Sequence, residues 1–207
     1  KMIASVGNFQ TTGYGVYRST DAGTTWNKLT GIPDFSGKTM LGMYESNPDI
    51  IYASVADSTT GVGQLMKSTN FGTTWTTLPT NVGWGVQGWY SHFIAVHPTN
   101  PNLLSHAAVS IVYSDDGGSS FNGSGGSYSD HHGFAYDPTN PDILYVANDD
   151  GIYRSTNFGK TFTDIGFGMM TGQFYAGFSN SAQDSFLAIG QSQDHIPGYI
   201  YRGTLNW

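Results

Sequence analysis

The 207-residue sequence contains no cysteine. Disulfides, thiolate metal sites and cysteine nucleophiles are therefore excluded. Charge is scarce: Lys, Arg, Asp and Glu make up 11% of the chain, with a net charge of −7 and a pI near 5.0. Only eight residues are basic, too few to line a phosphate backbone, so no nucleic-acid partner is expected. No apolar run is long enough to span a membrane, and no amphipathic segment of helical length is present. No signal peptide is visible and the chain starts at Lys1. The expectation is a processed or partial piece of a longer protein. What is abundant is glycine, at 28 residues, and aromatic side chains, at 14%. That composition suits a turn-rich all-β domain with one sizeable core.

A short pattern, S-x-[DN]-x-G-x-[TS]-[WF], occurs four times, at residues 19–26, 68–75, 114–121 and 155–162. The copies start 49, 46 and 41 residues apart, and a decayed copy lies near 201–204. Its chemistry is that of a hairpin turn. The Asp or Asn side chain bonds backbone N–H groups a few residues on. The Gly takes a positive φ, and the Trp or Phe anchors the next strand. A second landmark keeps the same beat: Asn47-Pro48, His97-Pro98-Thr99-Asn100-Pro101 and Asp137-Pro138-Thr139-Asn140-Pro141, each a turn signal. A period of 40–50 residues holding four short strands is the period of a propeller blade.

The four-fold pattern resembles the Asp-box, the bacterial-neuraminidase repeat that closes turns on β-propeller blades. That family of repeats is found in sialidases, repeat-propeller xyloglucanases and sortilin-type receptors. The second half resembles large secreted Bacteroidetes-type propeller proteins, through Gly88-Trp89-Tyr90, Asp130 with His132, Asn148-Asp149-Asp150-Gly151, Gln173-Phe174-Tyr175 and Gly190-Gln191-Ser192-Gln193-Asp194. Those proteins carry H-x-D-x-H, DGG and GG-x-QD-x-G at these places. Here Tyr128 stands for the first His, Asp150 departs from the DGG, and His195 follows the QD. The resemblance implies a bacterial protein exported to the cell surface or beyond, and an all-β propeller of four-stranded blades. It carries no settled activity.

One blade can be written from the fourth repeat. Strand A covers about 132–136, B about 143–147, C about 151–154 and D about 161–165. The chain holds about four full blades with partial blades at its ends. Those ends either complete one another or belong to a propeller with further blades. Residues 122–129, Asn-Gly-Ser-Gly-Gly-Ser-Tyr-Ser, are expected as a flexible loop. Trp26, Trp75, Phe121 and Phe162 are expected to be buried within or between blades.

Strands alternate in direction, so the Asp-boxes and the Asn-Pro turns share one face of the blades. The opposite face collects Trp89, Tyr90 and His92, Asp130, His131 and His132, Asp149 and Asp150, Gln173, Phe174 and Tyr175, and Gln193, Asp194 and His195. These ring the mouth of a propeller channel, where a glycan or protein ligand would bind. Each residue has two readings. Trp89 and Tyr90 stack on sugar rings or pack the rim. Asp130, His131 and His132 ligate a metal with His92 or His195, or form a hydrogen-bonded polar channel. Asp149-Asp150-Gly151 holds a structural Ca²⁺ or forms a tight turn. Asp194 and Asp130 are the candidate catalytic carboxylates, with turn stabilisation as the alternative for Asp194.

Sialidase chemistry needs a triplet of arginines and a Tyr activated by a Glu. The three arginines, Arg18, Arg154 and Arg202, sit at one repeated blade position, and the single glutamate is Glu45 in a turn. No G-x-S-x-G elbow precedes a helix. Two functions remain. The first is a binding or scaffold module for a glycan or protein. The second is a glycoside hydrolase of the xyloglucanase-like repeat type, with paired Asp carboxylates.

Overall fold

The computed structural model describes residues 1–7, 11–33, 37–56, 63–80, 82–83, 88–167, 169, 174–180, 182–183, 187–192 and 199–202. Among them there are strands and turns and no helix. Two compact units form, Lys1–Ile165 and Gly166–Trp207.

The first unit contains four antiparallel sheets in sequence order. The first is β1 (Met2–Val6), β2 (Gly15–Ser19) and β3 (Asn27–Lys28). The second is β4 (Thr39–Met43), β5 (Ile51–Ala56), β6 (Gly63–Ser68) and β7 (Thr76–Leu78). The third is β8 (Phe93–Val96), β9 (Leu104–Ala107), β10 (Ile111–Ser114) and β11 (Asn122–Gly123). The fourth is β12 (His131–Tyr136), β13 (Leu144–Asn148), β14 (Gly151–Ser155) and β15 (Thr163–Asp164). Every neighbour pair is an up-and-down hairpin, as a blade requires. The second unit holds β16 (Phe174–Asn180), β17 (Leu187–Ser192) and β18 (Tyr199–Arg202) in one antiparallel sheet.

The core lies between adjacent blades. In β8, Phe93 and Ala95 pack with Leu144, Val146 and Tyr153 of the fourth sheet. Ile94 and Val96 pack the other way, against Tyr52 and Leu65 of the second sheet. Both faces of the strand are covered, so Phe-Ile-Ala-Val reads as an unbroken apolar run rather than an alternating one.

Each blade closes with the repeated turn. The Ser19 hydroxyl donates to Asp21 Oδ1 at 2.8 Å and accepts Gly23 N–H at 2.8 Å. Asp21 Oδ1 accepts Thr25 N–H at 2.9 Å. The same bonds recur around Ser68, Ser114 and Ser155. Gly23, Gly72, Gly118 and Gly159 have φ from 79° to 91°. The residue before each, Ala22, Phe71, Gly117 or Phe158, is also at positive φ, so two successive left-handed residues reverse the chain within the longer connection between the last two strands of the blade.

Two expectations fail here. Trp26 is 39% exposed, Trp75 and Phe121 are half-buried, and only Phe162 is buried. The indole N–H groups of Trp26 and Trp75 donate to Gly23 O and Gly72 O, both at 3.0 Å, so each ring lies over its own turn. The buried aromatic of the turn is the residue before the glycine, Phe71 or Phe158, at 5% and 2% exposure. Residues 122–129 are also not a loose loop. Asn122 and Gly123 form β11, Gly125 exchanges backbone bonds with Lys160 and Phe162, and Ser124 donates to Gly159 O. That segment ties the third blade to the fourth.

The Asn-Pro turns lie with the repeated turns on one face, as their alternation predicts. Phe71, Gly117 and Phe158 donate backbone N–H to Asp49, Asn102 and Asp142 within their own blades. Arg18 Nη1 crosses to the next blade and donates to Phe71 O at 3.2 Å and Thr73 Oγ1 at 2.7 Å. Lys67 Nζ does the same one blade on, to Gly117 O at 3.0 Å. This face is built for closure.

Candidate functional site

On the opposite face, the strand entries and the β13–β14 turn of the first unit bring four predicted residues into a different arrangement from the one their spacing suggests. Trp89 and Tyr90 lie in the turn that leads into β8 and are 39% and 50% exposed. Their ring centroids are 5.4 Å apart at 42°. Tyr90 meets His132 edge to face, 4.9 Å between centroids at 74°. His132 Nε2 bonds Asp149 Oδ1. Two exposed aromatic rings, an imidazole and a carboxylate thus form one continuous surface.

A bulge in β12 makes this possible. The pairing with β13 shifts register between His131 and Gly133, so His132 has no Cα partner in the ladder. Bulges re-aim side chains in this way. His131 turns inward and is fully buried: Nδ1 donates to Ala108 O at 3.0 Å and Nε2 meets the Ser127 hydroxyl at 2.8 Å. Burial, ahead of any other cause, holds its pKa below the usual histidine value. His132 turns outward to Tyr90 and Asp149. The two adjacent rings therefore face opposite sides, and among the described residues no three His or carboxylate groups converge as a metal site would need.

His92, expected at the mouth, is fully buried between the second and third blades. Its Nε2 donates to Lys38 O at 3.1 Å, so Nδ1 accepts from the Ser54 hydroxyl at 2.8 Å. Ser54 Oγ in turn accepts from His106 Nε2 at 2.9 Å, and the Thr80 hydroxyl donates to His106 Nδ1 at 2.9 Å. One direction of donation runs through the chain because Lys38 O can only accept. Burial, with Lys38 charge behind it, pushes His92 down to about 3, and burial with His92 behind it does the same to His106. This is a neutral structural network, not a surface site.

Asp130 is half-buried at φ 61°, and its N–H donates to Val109 O at 3.1 Å. The β13–β14 turn is closed by Asn148 Oδ1, which accepts Asp150 N–H at 3.1 Å and Gly151 N–H at 3.0 Å. Asp149 bonds His132 and Asp150 accepts from the Tyr153 hydroxyl, and the backbone between them forms the expected tight turn. Tyr153 is raised above the ordinary tyrosine value, first by burial and then by that bond. Phe174 and Tyr175 belong to β16 of the second unit. Gln173, Gln193, Asp194 and His195 lie outside the described residues. Reading by position missed Lys38, Ser54, His106 and Ser127. His106 had a signal: it is the lone ring inside the run Leu103-Leu104-Ser105-His106-Ala107-Ala108.

With turn and blade geometry in hand, relatives can be placed. The BNR-Asp box repeat family matches residues 152–165, which span β14 and the turn after it. The repeated turn is an Asp-box. Two solved structures resemble the whole chain. An ancestral GH74 enzyme is 18% identical with a TM-score of 0.61, covering 99% of this chain and 31% of that one. The GH74 enzyme of Niastella koreensis is 19% identical with a TM-score of 0.61, covering 93% and 31%. The fold is a β-propeller. The chain spans about a third of the length of those enzymes. No curated protein matches it.

Proposed function

We propose that this chain is a glycan-binding module of an exported bacterial propeller, and that Trp89 and Tyr90 are its platform. The observation that carries this reading is their exposure side by side on the face without Asp-boxes. Large apolar rings left open on a folded surface mark contact sites, and an aromatic face with a polar neighbour suits a sugar ring and its hydroxyls. His132 and Asp149 supply the polar neighbours.

The likeness to GH74 enzymes makes hydrolysis the rival. Hydrolysis needs two carboxylates facing each other across a groove, about 5–10 Å apart. Asp149 and Asp150 instead share one turn, and each already serves a protein donor. Among the described residues this favours binding over turnover. The test is affinity electrophoresis in gels holding xyloglucan, hydroxyethylcellulose, xylan or galactomannan. Retardation by at least one polysaccharide, lost in Trp89→Ala, is expected. Release of reducing ends from any of them would replace the binding reading with the hydrolase. Capture of a protein partner without retardation would replace the glycan.

A further inference from the structure

His132 has two ring nitrogens, and the described residues use one of them. Nε2 lies on Asp149 Oδ1, while among the described residues no group bonds Nδ1. The ring is partly open, its side chain 30% exposed, and its edge-to-face contact with Tyr90 sets it beside the aromatic pair. An ionised carboxylate only accepts, so the hydrogen sits on Nε2 and the neutral ring keeps its lone pair on Nδ1. The placement is built by two backbone devices. The bulge at His132 frees it from the ladder, and the Asn148 side chain fixes the turn that carries Asp149.

We propose that Asp149 is a positioning residue that holds His132 in its Nε2–H tautomer, so that Nδ1 accepts a hydrogen bond from a hydroxyl of a sugar stacked on Trp89 and Tyr90. This rests on the glycan-binding reading of the same face and gives it a polarity. The site selects a ligand hydroxyl that donates next to the stacked ring, and disfavours a sugar whose group there can only accept. An acceptor facing an acceptor leaves both unpaired, which costs more than the bond is worth.

The experiment pairs a ligand-free measurement with a binding one. Two-bond ¹H–¹⁵N spectra of the intact chain at pH 7.5 report the tautomer of each histidine. His132 is expected as Nε2–H, and Asp149→Asn, whose amide can donate to Nε2, moves it toward Nδ1–H. Binding to soluble xyloglucan, or to whichever polysaccharide of the panel retards the wild type, is expected to weaken about three- to tenfold in Asp149→Asn with the melting temperature unchanged. Asp149→Glu, which keeps an acceptor, restores the tautomer and part of the affinity. Loss of binding in Trp89→Ala with full binding in Asp149→Asn overturns the positioning role alone. A His132 already in the Nδ1–H form does so too. Full binding in Trp89→Ala, or no retardation by any polysaccharide, overturns the glycan reading and this inference with it.

Discussion

Acidification should loosen the junction between the second and third blades well before the carboxylates titrate. His92 and His106 are fully buried and their pKa values fall to about 3, from 6.5. Both are neutral in the folded chain, so on lowering pH the unfolded chain takes up protons first. Stability is full above about 6.5 and is lost as pH falls from there toward 3. Between pH 7 and pH 4.5 each ring contributes a loss on the order of 2–3 kcal/mol, and the pair, which shares Ser54, a loss of several kcal/mol. That is a large share of the 5–15 kcal/mol typical of a folded domain. His131 acts with the same sign. The depressed aspartates, Asp21 and Asp116 at about 2, matter only below their ordinary value of 3.8. The window from 6.5 to 4.5 therefore belongs to histidine. Urea midpoints followed by tryptophan fluorescence at pH 7, 6, 5 and 4.5 read the effect. His106→Gln keeps an amide that hydrogen-bonds but does not titrate. It should be less stable at pH 7 and lose a clear part, though not all, of the pH slope, because His92 and His131 still titrate. A flat midpoint across the window, or an unchanged slope in His106→Gln, refutes the reasoning.

Truncation of Phe158, 2% exposed and stacked on Tyr136, should cost about 3–5 kcal/mol, while Trp75→Ala costs less and Trp26→Ala least; thermal melts of the three rank them. Ser114→Ala leaves the buried Gly118 N–H without its acceptor and should cost about 1–3 kcal/mol by urea denaturation, whereas Ser119→Ala, on the exposed side of the same turn, should be near neutral.

The blades were legible because a closing turn has strict chemistry. Only Ser, Asp or Asn, and Gly at fixed offsets satisfy the bonds that Ser19, Asp21 and Gly23 make, so the pattern survives in all four copies. Pairing followed from it, and the expected strands of the fourth blade fall within about two residues of β12 to β15. The burial of the closing aromatics was not legible. Trp26 and Trp75 fold back onto a glycine carbonyl through the indole N–H, while of the two phenylalanines Phe162 is buried and Phe121 only half so, a difference set by the neighbouring blade rather than by the repeat. The ordering of residues 122–129 was hidden for another reason. Their glycines read as flexible, but Gly125 and Ser124 find backbone partners 35 residues on, in the next Asp-box. At the site, position on the face was readable and direction was not. His131 and His132 both lie at the entry of β12, and a one-residue bulge sends one to the core and the other to Tyr90.

The contrast between the two faces bears on function more than any single residue does. On the Asp-box face the same contacts recur from blade to blade. Arg18 and Lys67 take up the same bridge to successive blades, and three backbone N–H groups find equivalent carbonyls. Repetition of that kind is what a structural contact looks like, because every blade junction poses the same problem. The other face breaks the repeat. The strand entries that carry Lys38, His92 and the His131–His132 pair are equivalent in topology, yet the first offers a carbonyl to a buried ring, the second is that ring, and the third divides one ring inward and one outward. Among the described residues, the last leaves polar and aromatic groups open to solvent together, beside Trp89 and Tyr90. A departure from the repeat that exposes two large rings and fixes an imidazole beside them has no closing task to explain it. The cost of exposing apolar surface there is offset if a ligand covers it. The proposed binding surface accordingly lies where the blades stop agreeing with one another, at the entry of β12 and the turn before β8.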